Sequence, residues 1–348
     1  MRKIIDSHLH ISRWGEADLV TCFDSYKKNN SLEAINICAI PLCTTNVANN
    51  IILGFYKIAN PDTYIHGGIE FIKVPIDNMP NDMNSVVQYK ELMDIGFDGI
   101  KMLEGKPEFH KAIGKSLNHP QLNSLYEEIE RDKTHLLMHV NDPDEFWDIE
   151  RAPHWAVEQG WVYTDGTFAP YEEIKRQTIQ ILKDYPNISL TLAHFFFSSK
   201  EPQELEELFS KYPNLCIDLT PGGEMYVSFA KNQEYYKEFF SKYSDRLIFG
   251  TDRSYMCDEK YADWLFDVVT KYISTDKPVK AFDDMILNGL SLPEYKIDNI
   301  LYANFERRVG KAPKVIDKEK FKQYIEKYYF ALEEEDKARI EPLMKKYL

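Results

Sequence analysis

Eight short runs of almost unbroken apolar character recur along the 348 residues, each followed by a polar turn and then by a longer segment of different period. The runs are KIIDSHLHI (3–11), AINICAIP (34–41), YIHGGIEFI (64–72), DGIKML (98–103), HLLMHV (135–140), ISLTLAHFF (188–196), LCIDLT (215–220) and RLIFGTD (246–252). The intervening segments, among them 84–96, 119–133, 171–186, 202–213 and 232–245, repeat their apolar residues at three and four, which is helical spacing. Parallel strands are covered on both faces and read as continuous apolar runs. Strand and helix in alternation therefore predict a parallel sheet, and eight right-handed crossover units close it into a (β/α)8 TIM barrel. Tyr-Pro-Asn phrases at 185–187 and 212–214 mark two helix-to-strand turns, where proline stops the helix.

Two stretches exceed a minimal barrel. The connection after the fifth strand, Asn141 to Pro170, is long and aromatic, and loops of that size serve as lids or binding walls. From about Asp317 to Leu348 the chain has helical period and mixed charge, which reads as a helical extension packed on the barrel or on a second copy in a homo-oligomer. No Gly- or Ser-rich linker interrupts the chain, so residues 1–348 read as a single domain.

Composition narrows the partners. A chain 44% hydrophobic and 28% charged is too apolar for disorder. Its net charge of −14 argues against nucleic acid or an anionic membrane as partner, since both need a cationic footprint, and leaves a small-molecule substrate. There is neither a long apolar span nor an apolar export signal after Arg2 and Lys3. Five widely spaced cysteines, Cys22, Cys38, Cys43, Cys216 and Cys257, read as reduced thiols of a cytoplasmic protein.

The polar residues inside the strands carry the chemistry. Residues two apart on a strand share a face, so His8 and His10 point one way, with Asp6 a step deeper on the same side. Such a pair can occupy adjacent positions on one metal ion, although a lone His-x-His is a weak signal. His139 ends the fifth strand, His194 lies near the end of the sixth, and Asp252 terminates the eighth. A barrel brings all strand carboxyl ends to one face, where these residues become neighbours. Burying such groups costs several kcal/mol unless they are paired or bound to metal, so their convergence predicts a metal site.

This pattern resembles the amidohydrolase superfamily of metal-dependent (β/α)8 barrels. ILYANFERRVG at 300–310 resembles the C-terminal signature of its amidohydrolase-related branch, and GTD (250–252) and LAHFFFSS (192–199) add to the likeness. The resemblance implies a divalent ion, zinc first and manganese or another as alternatives, held by His8, His10 and His139. Asp252 is then both ligand and general base, and His194 faces the reacting carbonyl. The implied reaction is hydrolysis of a small-molecule amide, ester or lactone by activated water. The alternatives are a nonoxidative decarboxylase using the same site and an inactive barrel used for binding. An arginine in the pocket would favour decarboxylation; a carboxylated Lys101 bridging two metals would favour hydrolysis.

Lys101 and Glu104 on the fourth strand are further metal or active-site candidates, and Asp6 is expected to orient a ligand histidine. Glu224 and Tyr226, after the seventh strand, and His154, in the long loop, are candidate substrate contacts. His66, His110, His119 and His135 read as structural, His66 and His135 because they begin their strands at the far end.

Overall fold

The computed structural model describes residues 2–11, 19–41, 44–254, 258–282 and 285–348. Nine parallel strands form one curled sheet: β1 (Ile5–His10), β2 (Ala34–Cys38), β3 (Tyr64–Gly67), β4 (Gly99–Gly105), β5 (His135–Val140), β6 (Leu190–Leu192), β7 (Cys216–Asp218), β8 (Leu247–Ile248) and β9 (Arg253–Ser254). Their order is β8-β7-β6-β5-β4-β3-β2-β1-β9, so neighbours in sequence pair, as right-handed strand–helix–strand units require. β8 lies on one edge and β9 on the other, yet only residues 249–252 separate them in the chain. The Ser7 N–H donates to Phe249 O at 3.2 Å and the Asp252 N–H to His8 O at 2.8 Å, so this single stretch joins the two edges. A small antiparallel pair, β10 (Pro278–Lys280) and β11 (Ile286–Asn288), stands apart.

Three predicted strands stop well short of the end of their apolar runs. The sixth stops at Leu192 because the backbone from His194 to Phe197 is left-handed, with φ of 55°, 55°, 56° and 48°. A non-glycine residue pays for that conformation, and the surroundings hold it: Phe195 and Phe196 are buried, and Phe197 stacks on His194 with ring centroids 5.3 Å apart. The eighth run breaks at 249–252, where Asp252 has φ of 56°. The third ends at Gly67, short of Glu70.

A single buried apolar cluster extends in sequence from Leu9 to Ile340. The chain end contributes two helices, Lys318–Tyr328, capped by the Asp317 carboxylate, and Glu334–Tyr347. Phe321 packs on Phe55 with centroids 5.1 Å apart and fills the space over Gly54, where a Cβ would come within 2.3 Å of its ring. Nearer the barrel, Asn304 Nδ2 donates to Ser244 O and Leu247 O at 2.8 and 2.7 Å, fixing the entry to β8. Phe305 lies against Tyr64, His66 and His135, closing the amino end of the sheet with apolar surface. Among the described residues, no helix is long and apolar enough to cross a membrane. Cys22, Cys38 and Cys216 are free thiols; Cys43 and Cys257 lie outside the described residues.

Candidate metal centre

At the carboxyl end of the strands the hydrogen-bond partners fix which imidazole nitrogen carries the proton. His8 Nδ1 lies 2.8 Å from Asp218 Oδ2, and a carboxylate only accepts, so Nδ1 bears the hydrogen and Nε2 keeps its lone pair. His10 Nδ1 lies 2.9 Å from the Cys38 carbonyl, which forces the same tautomer. The two bare Nε2 atoms are 3.0 Å apart, and Asp252 Oδ1 lies 3.0 Å from His10 Nε2 and 3.7 Å from His8 Nε2. Three lone-pair donors thus converge with all their ligand atoms within 4.8 Å of one another. That arrangement is repulsive by itself and becomes favourable around a cation.

His194 follows the same logic. Thr220 spends its hydroxyl proton on Asp218 Oδ1 at 2.5 Å, so His194 Nδ1 must donate to Thr220 Oγ1 at 3.0 Å. Its Nε2 lone pair then faces Asp252 Oδ2 at 3.9 Å. Asp218 also accepts the His194 backbone N–H at 2.8 Å, so one buried carboxylate orients two of the histidines. Lys101, buried on β4, places Nζ 3.1 Å from His8 Nε2, where its ammonium occupies the lone pair a metal ion would take.

The electrostatics keep these groups in metal-competent forms. Burial, helped by the Lys101 charge, holds His8 down to about 3, and burial with His139 nearby holds His194 down to about 4. Burial pushes both carboxylates up but loses to their neighbours. The His8 and His194 imidazoles and Thr220 bring Asp218 to about 2, and His10, His194 and His8 hold Asp252 well below the usual carboxylate range. At neutral pH His8 and His194 are therefore uncharged beside an ionised Asp252. Burial also lowers Lys101.

The centre opens into a cavity of about 480 Å³ lined by His10, His139, His194 and Asp252, with aromatic walls from Phe146, Trp155, Trp161, Phe197, Tyr261 and Phe282. Much of the wall comes from the long loop after β5, which builds a small core of its own from Phe146, Ala156 and Tyr163. His139 is in ring contact with His194, centroids 4.7 Å apart. Its Nε2, however, donates to Asn141 O at 2.7 Å and faces Asp142 at 3.5 Å, turned off the converging set. Asp142 also takes Lys106 Nζ at 2.5 Å and the Tyr163 hydroxyl at 2.5 Å. Glu224 lines the cavity.

The structure does not bring the remaining candidates to the cavity. Glu104 is not part of the cavity lining, and burial pushes its carboxyl up to about 7. Tyr226 is buried against Phe229 and Phe282, and His154 is exposed at the start of the short helix His154–Glu158. Asp6 bonds the Tyr26 hydroxyl at 2.6 Å, Thr251 Oγ1 at 2.7 Å and the backbone N–H of His8 at 3.2 Å, so it braces the strands, and the His8 ring is held by Asp218 instead. A register shift in the β1–β2 pairing between Asp6 and Leu9 is why simple alternation misplaces it. Asp218, Asp142 and Lys106 were not singled out from the sequence. A carboxylate inside the apolar run LCIDLT was the available signal for Asp218, since a buried acid needs a partner.

No protein-family model matches the chain, and no curated protein is similar to it in sequence. Solved structures do match, among them an uncharacterised TIM-barrel protein of Bordetella bronchiseptica and a putative amidohydrolase of Staphylococcus aureus. A "probable 2-pyrone-4,6-dicarboxylic acid hydrolase" from Acinetobacter baumannii superposes with a TM-score of 0.53 at 13% identity over 88% of this chain and 99% of that one. The IDCase of Metarhizium anisopliae gives 0.53 at 11% identity, over 88% and 97%. The 4-oxalomesaconate hydratase of Rhodopseudomonas palustris gives 0.51 at 10% identity, over 88% and 95%. At these identities the likeness is one of fold.

Proposed function

We propose that the chain is a metal-dependent hydrolase of a small-molecule amide, ester or lactone, built as one domain on a closed (β/α)8 barrel whose eighth strand is β8 and β9 together. The observation that carries this reading is the convergence of two unprotonated Nε2 atoms and one carboxylate oxygen on a single point. His8, His10 and Asp252 would hold the ion, with His139 and Lys101 as the further candidates beside them. Two imidazoles and a carboxylate suit zinc first and manganese next. Such an ion supplies Lewis acidity, making water ionisable near neutral pH and drawing charge from a substrate oxygen.

The protein groups supply the rest. Asp252, ionised and part of the cavity wall, is placed to remove a proton from water. His194, neutral with its lone pair 3.9 Å from Asp252 Oδ2, is placed to receive that proton and return it to the leaving group. Asp218 directly, and Thr220 through its bond to Asp218, keep His8 and His194 respectively in the tautomers this requires. The aromatic loop shields the reacting bond from bulk water. Hydrolysis is preferred over decarboxylation because Lys106, the one lysine or arginine among the described residues of the wall, is already engaged by Asp142 and by the Trp161 ring, 4.4 Å from its centroid.

Metal analysis of protein purified without chelator tests the reading. About one ion per chain is expected, with amide, ester or lactone hydrolysis that chelator removes and added Zn²⁺ or Mn²⁺ restores. Protein that takes up no ion after either addition overturns it.

A further inference from the structure

Among the described residues of the cavity wall, Lys106 is paired with Asp142 and Asp252 belongs to the converging ligand set, which leaves Glu224 outside both. Glu224, on the first turn of the helix Gly223–Lys231, has Oε1 buried from solvent and accepting no hydrogen bond. Its side chain folds back over the bare Cα of Gly222, where a Cβ would lie 2.4 Å from Oε1. The acids nearest in influence are Glu145 and Asp142, and the nearby cation, Lys200, is bonded to Asp144 and Glu145. Leaving such an oxygen unpaired is unfavourable, so a ligand that supplies a donor gains by pairing it. The surrounding walls are aromatic faces, which also attract cations.

We propose that Glu224 recognises a cationic hydrogen-bond donor of the substrate, an ammonium, amidinium or guanidinium group on a short apolar body whose scissile bond lies at the metal centre. The inference rests on the hydrolase reading only in taking this cavity as the substrate site. The charged hydrogen bond and the aromatic walls together favour the cation over its neutral isostere by about tenfold or more.

The test uses the full-length protein stripped of metal by chelator, so that no anion can bind through an ion. Trp155 and Trp161 line the cavity and report its filling by intrinsic fluorescence. Benzylammonium, benzyl alcohol and benzoate are titrated in turn. Benzylammonium should bind at least about tenfold more tightly than benzyl alcohol, Glu224→Gln should erase that margin, and Asp252→Asn should keep it. Gly222→Ala, which displaces the carboxylate while retaining it, should cut the margin several-fold and guards against a misfolded Glu224→Gln. Tighter binding of benzoate than of benzylammonium, or an intact margin in both Glu224→Gln and Gly222→Ala, would overturn the proposal. Because the titration involves neither metal nor turnover, a protein that prefers the ammonium yet takes up no ion sinks the hydrolase reading alone. The reverse result sinks this proposal alone.

Discussion

The strands carry two buried histidine groups at opposite ends, and they differ in what their nitrogens face. At the amino end His66 Nδ1 donates to Asn36 Oδ1 at 2.7 Å, whose amide is oriented by its own donation to Ser7 O. His66 Nε2 then accepts from His135 Nδ1 at 2.7 Å, and His135 Nε2 accepts from the Thr191 hydroxyl at 2.8 Å. Every ring nitrogen has one partner of the right polarity, and Phe305 covers the chain. At the carboxyl end each Nδ1 of His8, His10 and His194 is tied down in the same way, but the Nε2 lone pairs point at one another and at Asp252, with Lys101 Nζ 3.1 Å from that of His8. Both groups are buried, and that burial holds His8 and His194 in one, and His66 and His135 in the other, neutral. Burial of histidine therefore says little about function; a shared surplus of acceptors says a good deal.

The largest test of that contrast removes one lone pair from the upper group. His8→Ala should bring metal content from about one ion per chain to near zero and abolish hydrolysis with it, measured by metal analysis and turnover on one sample. Retained metal would mean that the ligand set lies elsewhere. Asp218→Asn should be milder: the ring of His8 loses its charged anchor while all three converging atoms remain, so metal affinity should drop about 10–100-fold in a competitive chelator titration. An unchanged affinity would show that Asp218 does not govern the His8 tautomer.

How far each end was legible in the sequence follows from the same physics. His8, His10 and Asp252 stood out as polar residues at the ends of apolar runs, and the βα repeat alone brings positions some 240 residues apart to one face. Lys101 and Glu104 were both left open as candidates, and the sequence did not separate them: Lys101 reaches His8, while Glu104 stays outside the cavity lining. Asp6 was misplaced because a pairing irregularity between Asp6 and Leu9 breaks that alternation. The left-handed backbone from His194 to Phe197 has no sequence signature, since glycine is absent from HFFF; tertiary packing imposes it. Asp218 was overlooked because a partner 210 residues away becomes visible only when β7 and β1 are placed. Similarly, the long loop was recognisable as a wall from its aromatic content, while which of its residues face inward, Trp155 but not His154, depends on its small private core.

The lower group should respond in stability and not in metal. His66→Leu leaves Asn36 Oδ1 and a His135 N–H without partners in the core, which costs about 1–3 kcal/mol for each unsatisfied group. Denaturant unfolding should register that loss, while metal content per folded chain stays at the wild-type value. Metal lost in proportion to stability would mean that the two ends act as one polar unit.

The smallest effect concerns acid. Burial lowers the His135 pKa to about 3 and drives His66 well below its ordinary value, helped by the facing His135. In the unfolded chain both return to about 6.5. Between pH 6.5 and about 3 the unfolded state thus binds protons that the folded state refuses, and folding stability falls as pH falls, by up to about 1.4 kcal/mol per pH unit for each such histidine. The cause is geometric: a second proton on His66 would set its Nε2–H against the Nδ1–H of His135 at 2.7 Å. His135→Gln should therefore be less stable than wild type at pH 7.5, yet lose less on going from pH 6.5 to 5, the difference in slope being about 1.4 kcal/mol per unit. Both proteins are compared with chelator present, so that proton competition for metal at the upper group is absent from the difference. Parallel slopes would show that the lower pair already accepts a proton when folded, and that its partners are not the closed neutral chain drawn from the hydrogen bonds.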